Sequence, residues 1–236
     1  LKKTDPINRA QRLDSTAAPT AAGFTLVELL VALAMSALVM AAIFRLSMDQ
    51  QKVHTAQDQV AELQQNIRAA LDLLVKDIRM AGYNPTRTAG DGCVTAGAAQ
   101  FQFRADLNAD GDYGDANEDV TLSLITGTGG VQGLRRKITA ADDDKTVAAE
   151  TVIPSVENLE FYYTLADGTR TTTPPTPADV RLVQISLLVR APLQDDNLEN
   201  TASYTTPSGA VWGPYNDHYR RRFLSTSVAC RNMGLI

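Results

Sequence analysis

Cysteine, histidine and tryptophan are scarce in this chain: 236 residues hold two, two and one of them. Cys93 and Cys230 stand far apart and His54 and His218 stand alone, so the ligand spacing of a zinc site is missing. No Gly-x-Ser-x-Gly, phosphate-loop or dinucleotide fingerprint occurs. Gly127-Thr128-Gly129-Gly130 has no helix start behind it and reads as a flexible turn, not a phosphate cradle. Asp142-Asp143-Asp144 reads as a solvated loop, His54 as a surface residue of a helix, and His218 as a surface or interface residue. With no nucleophile-base pair on a framework, the chain is not expected to be an enzyme. Basic excess is lacking too. The formal net charge of −5 argues against a nucleic-acid partner, which wants a basic face. Glycine and proline are both absent from Phe24 to Ala81, so nothing in that stretch breaks a helix.

That stretch opens with 21 residues, Phe24 to Phe44, that carry a single charge, Glu28. About 20 apolar residues suffice to cross a bilayer. An ionised group inside a span costs roughly 2.5–3.5 kcal/mol on insertion scales, and such a residue is retained where a partner neutralises it. Ahead of the span, Lys2, Lys3, Arg9 and Arg12 stand against Asp5 and Asp14, a net of +2. A basic leader before an acidic body obeys the positive-inside rule, with the leader cytoplasmic and the body sent across.

The junction Gly23-Phe24-Thr25-Leu26-Val27-Glu28, with the apolar helix directly behind it, resembles the type IV prepilin signal. The resemblance implies that a prepilin peptidase cuts between Gly23 and Phe24 and that the new Phe24 amine is methylated. It also implies that Glu28 pairs with a Phe24 amine, its own or a neighbour's, when subunits pack in a filament. A buried carboxylate and a buried ammonium are each costly alone and tolerable together. An ordinary signal anchor with an incidental acid is the plainer alternative.

Beyond the span, apolar residues fall at Val53, Ala56, Val60, Leu63, Ile67, Leu71, Leu74 and Ile78, in the three-and-four steps of one helical face. Gly82 followed by Tyr83-Asn84-Pro85 is a stop signal. One continuous helix is therefore expected from Phe24 to about Ala81. Strand patterns follow at Gln100–Arg104, Val120–Ile125, Leu134–Thr139, Leu159–Leu165, Val180–Val189 and Tyr219–Cys230. Val183, Ile185, Leu187 and Val189 share one face, and Leu159–Leu165, which ends at the turn dipeptide Asp167-Gly168, is expected to pair antiparallel with them. Thr171–Pro177 and Asp195–Gly213 read as loops. The fold class is α+β: a long N-terminal helix, its first half transmembrane, packed on an antiparallel sheet, as in pilins. The divisions are a leader at 1–23, a transmembrane half-helix at 24–44, an amphipathic half at 45–82 and a globular β domain at 83–236. The helix end, Asn66 to Tyr83, and the C-terminal Arg220-Arg221-Arg222-Phe223-Leu224-Ser225-Thr226-Ser227-Val228 resemble PilW-type minor pilins. Major pilins usually carry a proline some twenty residues into the mature helix; Arg45 stands there, which favours a minor subunit.

Residues 106–119 form an acidic run. Asp106, Asn108 and Asp110 alternate ahead of Gly111, as in the first half of an EF-hand-type loop, and Asp112 can offer its backbone carbonyl. The twelfth position is Asn117 rather than Glu, so Glu118 or Asp115 must complete the shell. Calcium is the expected ion; an ion-free acidic turn is the alternative. If the body lies outside the cytoplasm, Cys93 and Cys230 are expected to form a disulfide worth about 4–5 kcal/mol in the chain-entropy model, with two buried free thiols as the alternative.

The resemblance implies a minor pilin that sits in the inner membrane with its body in the periplasm and reaches the cell surface on assembly. Its partners are other pilins and minor pilins, the prepilin peptidase and the inner membrane. A type II secretion pseudopilin of the J or K sort shares the N-terminal code. A third reading is a calcium-dependent adhesin on a pilin stalk, with Trp212, Tyr215 and Tyr219 stacking on its ligand.

Overall fold

The computed structural model describes residues 23–126, 132–140 and 145–234. The leader before Gly23, the turn Gly127–Gly130 and the run Asp142–Asp144 lie outside the described residues. Helix α1 (Leu26–Met80) is one α-helix of 55 residues without interruption, as the absence of Gly and Pro predicts. The chain divides into two compact units, one up to Gln51 and one from Lys52 onward.

In the first unit every described residue is exposed. Leu26, Leu38 and Met40 show about 70% of their surface (74%, 67% and 71%), so this is no core helix of a soluble domain. By length and composition it is able to cross a membrane.

In the second unit α1 buries Gln59, Leu63, Ile67, Ala70, Leu74 and Ile78, one face at steps of three and four. Of the expected stripe Leu63, Ile67, Leu74 and Ile78 are buried, while Ala70 turns inward ahead of Leu71 and the face shifts before Leu63. Val53 is exposed, Val60 and Leu71 are half-buried, and Gln59 takes an inward position. Gly82 ends the helix at φ 75°, the left-handed cap that glycine adopts without penalty. The Asn232 side-chain amide donates to the Arg79 carbonyl at 3.0 Å and satisfies one of the orphan acceptors of the last turn.

Two antiparallel sheets share one core with this helix face. The first is a five-stranded meander of β1 (Cys93–Ala96), β2 (Gln100–Arg104), β3 (Asp119–Thr126), β4 (Gln132–Ala140) and β5 (Lys145–Pro154). The second has the order β11-β8-β6-β7, built from β6 (Val156–Leu165), β7 (Arg170–Thr171), β8 (Val180–Gln194) and β11 (Tyr219–Ala229). β6 and β8 pair as expected, Phe161 opposite Ile185, but the Asp167-Gly168 turn leads into β7 rather than β8. Phe101, Phe103, Phe161 and Tyr163 form the aromatic centre, and the Tyr163 hydroxyl donates to the Gly97 carbonyl at 2.9 Å. The segment read as a loop at Asp195–Gly213 carries a short pair, β9 (Tyr204–Thr205) with β10 (Val211–Trp212), over the outer face of the second sheet. Tyr204 and Trp212 meet Phe223 there, and the Ser208 hydroxyl donates to Glu160 at 2.7 Å.

The expected disulfide is not formed. Cys93 opens β1 opposite Phe103, and Cys230 follows β11 with its N–H on the Arg181 carbonyl. Both are buried free thiols, not at disulfide distance. A chain-entropy gain is available only where the backbone brings two Cβ atoms to about 4 Å, which this register does not do. Burial pushes each thiol up to about 12. Thiolate is the reactive species, so iodoacetamide at neutral pH is expected to leave both unmodified in the folded protein and to label both after denaturation. Intact mass reads the outcome, and rapid labelling of the native protein would contradict the burial.

Candidate functional site

The N-terminal junction is built by a local rule. Thr25 precedes α1 and Glu28 sits in its first turn, the Thr-x-x-Glu spacing of a capping box. The Thr25 N–H and hydroxyl both donate to Glu28 Oε2 at 2.9 Å, and the Glu28 N–H donates back to Thr25 Oγ1 at 3.2 Å. This box was readable in the sequence as a helix start and adds a local role to Glu28. It pins the carboxylate at the helix N-terminus, one peptide unit from Phe24, which is itself 90% exposed. Gly23, Phe24 and Glu28 are thus brought together at one end of the helix, and among the described residues nothing is packed against Gly23.

The acidic run is a loop between β2 and β3, as expected. Asp106 is fully buried and Glu118 is 1% exposed, while Asn108, Asp110, Asp112 and Asp115 are exposed. Asp106 Oδ2 accepts the Gly111 N–H at 3.1 Å. Glu118 Oε1 accepts from Leu107 at 2.8 Å and Oε2 from Asp115 at 3.2 Å. The Asn108 amide nitrogen lies between Asp110 (2.8 Å) and Asp115 (2.6 Å). Asp110 and Asp112 turn oxygens onto the backbone N–H groups of Asp112 and Gly114. Among the described residues no three acidic, histidine or cysteine side chains already converge as a metal-holding group. Asp119 stands apart, paired with Arg104 at 2.9 Å.

The aromatics considered for ligand stacking are engaged within the chain. Trp212 lies edge-on to Phe223, the Arg221 guanidinium covers Tyr215 at 3.9 Å, and the Arg190 guanidinium covers Tyr219 at 4.2 Å. His218 Nδ1 lies 2.6 Å from the Leu198 carbonyl oxygen. The basic run Arg220-Arg221-Arg222 is not one patch either: Arg220 pairs with Asp195, while Arg221 is buried between Glu157 and Asp217.

Two family models match the chain. The one described as Prokaryotic N-terminal methylation motif matches residues 19–44, and the one described as Type IV Pilus-assembly protein W matches residues 123–232. The chain is thus type IV pilin-like and carries the prepilin methylation motif. The PilW likeness is carried by the stretch from β3 to the C-terminal tail; the helix end from Asn66 to Tyr83 lies outside the matched span. Among curated proteins none matches the chain. Among solved structures, the type IV-like pilin TTHA1219 from Thermus thermophilus is 16% identical, with 73% of this chain and 98% of that one covered and a TM-score of 0.49. The exposed apolar helix, set beside the methylation motif, fits a membrane-anchored pilin-like chain, and the capping box places Glu28 at its start.

Proposed function

We propose that this chain is a minor pilin of the PilW type that is cleaved between Gly23 and Phe24, is methylated on Phe24, and then assembles into, or primes assembly of, a type IV pilus. Its β domain then lies in the periplasm until assembly carries it outward, and its partners are the prepilin peptidase and other pilins. Its work is packing rather than catalysis. The observation that carries the reading is the Gly23–Glu28 junction set directly against a 55-residue unbroken helix whose first unit is wholly exposed. Such an apolar rod has two stable environments, lipid and a bundle of like helices. Contacts that repeat head-to-tail without closing generate a filament. The PilW likeness over residues 123–232 favours a pilus over a type II secretion machine.

Mass spectrometry of protein recovered from membranes tests it. The expected first residue is a methylated Phe24, and an intact leader would return the chain to the simple-anchor reading. Glu28→Ala is expected to leave cleavage and insertion intact while incorporation into sheared filaments falls at least about ten-fold, the effect of leaving one buried charge without its partner. Normal incorporation of that variant would remove the pairing role. Thr25→Ala, which loses only the cap, is expected to cost about 1 kcal/mol of local helix stability and to assemble.

A further inference from the structure

The loop joining β2 to β3 holds two carboxylates that the fold has taken out of water without giving either a cation. Asp106 is fully buried and Glu118 nearly so, and neither forms an ion pair among the described residues. Glu118 has both oxygens on backbone N–H groups. Asp106 does not: Oδ2 is held by Gly111, and by Thr86 at a long 3.4 Å, while Oδ1 is buried with no hydrogen-bond partner. A buried ionised group is tolerated when it is paired, hydrogen-bonded or bound to a metal. The Gly111 bond turns this carboxylate toward the loop that carries Asn108, Asp110 and Asp112. No Lys, Arg or His occurs from residue 105 to residue 119. Arg104, the nearest basic residue in sequence, is committed to Asp119.

We propose that residues 106–118 bind one calcium ion, with Asp106 Oδ1 as the fixed ligand and Asn108, Asp110 and the Asp112 carbonyl closing on it, and with Glu118 or Asp115 completing the shell. The donor set is all oxygen, which selects a hard cation and excludes the soft metals that thiolate and imidazole hold. A loop with several exposed, rotatable donors suits the irregular six-to-eight coordination of calcium better than the tight octahedron of magnesium. The exposed donors now spend their oxygens on local backbone N–H groups, and the Asn108 amide sits between Asp110 and Asp115 where positive charge is wanted. The cation replaces those weak contacts. Gly111 at φ 98° is required on two counts, because a Cβ there would also meet Thr88 Oγ1 at 2.5 Å.

The loop is docked on the connector that follows α1. The Asp106 N–H donates to the Tyr83 carbonyl at 2.8 Å, Thr88 Oγ1 to the Gly111 carbonyl at 3.1 Å, and the Tyr113 hydroxyl to the Gly90 carbonyl at 3.2 Å. Calcium held at Asp106 therefore orders the connector between the helix and β1 as well as its own loop.

The test uses the full chain in detergent, stripped with a chelator and titrated with calcium chloride or magnesium chloride. Melting temperature and binding heat are recorded together. Calcium is expected to saturate with a half-point on the order of 10⁻⁴–10⁻³ M and to raise the melting temperature by about 5 °C at saturation. Magnesium at equal concentration is expected to do far less. Asp110→Asn, an exposed site, is expected to keep the chelated melting temperature and to weaken calcium at least ten-fold. Asp106→Asn is expected to abolish the calcium response and to melt higher than wild type in chelator, because it removes the uncompensated buried charge. A wild-type protein that folds but shows neither heat nor shift up to about 10 mM calcium, well above the range of such modules, would overturn the site. So would an equal response to magnesium, or an undiminished calcium response in both variants.

Discussion

Gly92→Ala is expected to be the most damaging single methyl group that can be added to the β domain. A Cβ at Gly92 would stand 2.1 Å from the Gly82 Cα and 2.6 Å from the Gly82 nitrogen. Those are backbone atoms, so no rotamer change relieves the clash. The two glycines are also tied through a third residue: the Gly82 N–H donates to the Arg104 carbonyl at 2.9 Å, and the Arg104 N–H donates to the Gly92 carbonyl at 2.8 Å. Moving Gly92 away breaks the second bond; moving Gly82 breaks the first and disturbs the cap of α1. Overpacking in a core usually costs 1–3 kcal/mol, and a clash relieved only by backbone movement lies at or beyond the upper end, about 3 kcal/mol or more. For a domain of this size that is a drop of about 6–12 °C in melting temperature. Gly97→Ala is the control: its Cβ would meet only the Gln100 carbonyl at an ordinary 3.6 Å, and a change of less than about 1 kcal/mol is expected there. Equal melting of the two variants would show that the Gly82–Gly92 contact does not hold the helix end to the sheet.

The difference between what those glycines do and what could be read of them marks where sequence reasoning stops. Gly82 is legible as a helix stop because a local rule places glycine there. Gly92 is not, because its partner in space is ten positions away and nothing local demands it. The same contrast runs through the fold. Helix α1 was readable over its whole length, since an unbroken run and a 3.6-residue period are local properties. So was the inward face of β8, where Val183, Ile185, Leu187 and Val189 alternate and are all buried. β5 (Lys145–Pro154) was missed because its sequence has no clean alternation and follows a run of three aspartates; its pairing with β4 comes from the meander, not from its own pattern. Gln59 takes an inward position ahead of the half-buried Val60 because tertiary packing decides where the covered face begins, and periodicity alone does not. The N-terminal methylation motif was legible, since its spacing is written in consecutive residues. The disulfide was misjudged because compartment and count say nothing about where two Cβ atoms end up.

Nor does the run Arg220-Arg221-Arg222 reveal that its middle member is buried, and removing that member is the second large effect expected. The Arg221 side chain is 1% exposed, and its guanidinium holds Glu157 of β6 (Nη2 to Oε1, 2.9 Å) and Asp217 (Nη2 to Oδ2, 2.7 Å) while lying over the Tyr215 ring. Burial alone would lower its pKa, but hydrogen bonds to Asp217 and Glu157 outweigh that and raise it, so it stays charged. Arg221→Ala leaves both carboxylates facing each other. Breaking a buried pair from one side costs about 3–5 kcal/mol; Asp217 is partly exposed and Glu157 keeps Arg190 at 3.4 Å, so about 3 kcal/mol is expected. Lysine is not expected to rescue, because one ammonium cannot fork to two carboxylates. The triple variant Arg221→Met, Glu157→Gln, Asp217→Asn is expected to recover most of the loss, which separates stranded charge from lost packing. Its pH dependence follows from Asp217, whose carboxyl the Arg221 hydrogen bond holds below the ordinary range. A lowered folded-state value favours folding above the unfolded value of about 4 and ceases to do so as pH falls through the folded one. The stability gap between wild type and Arg221→Ala is therefore expected to be full at pH 7 and to close below about pH 4. A gap that stays constant from pH 7 to about pH 3 would mean that Arg221 acts through its packing on Tyr215 and not through its charge.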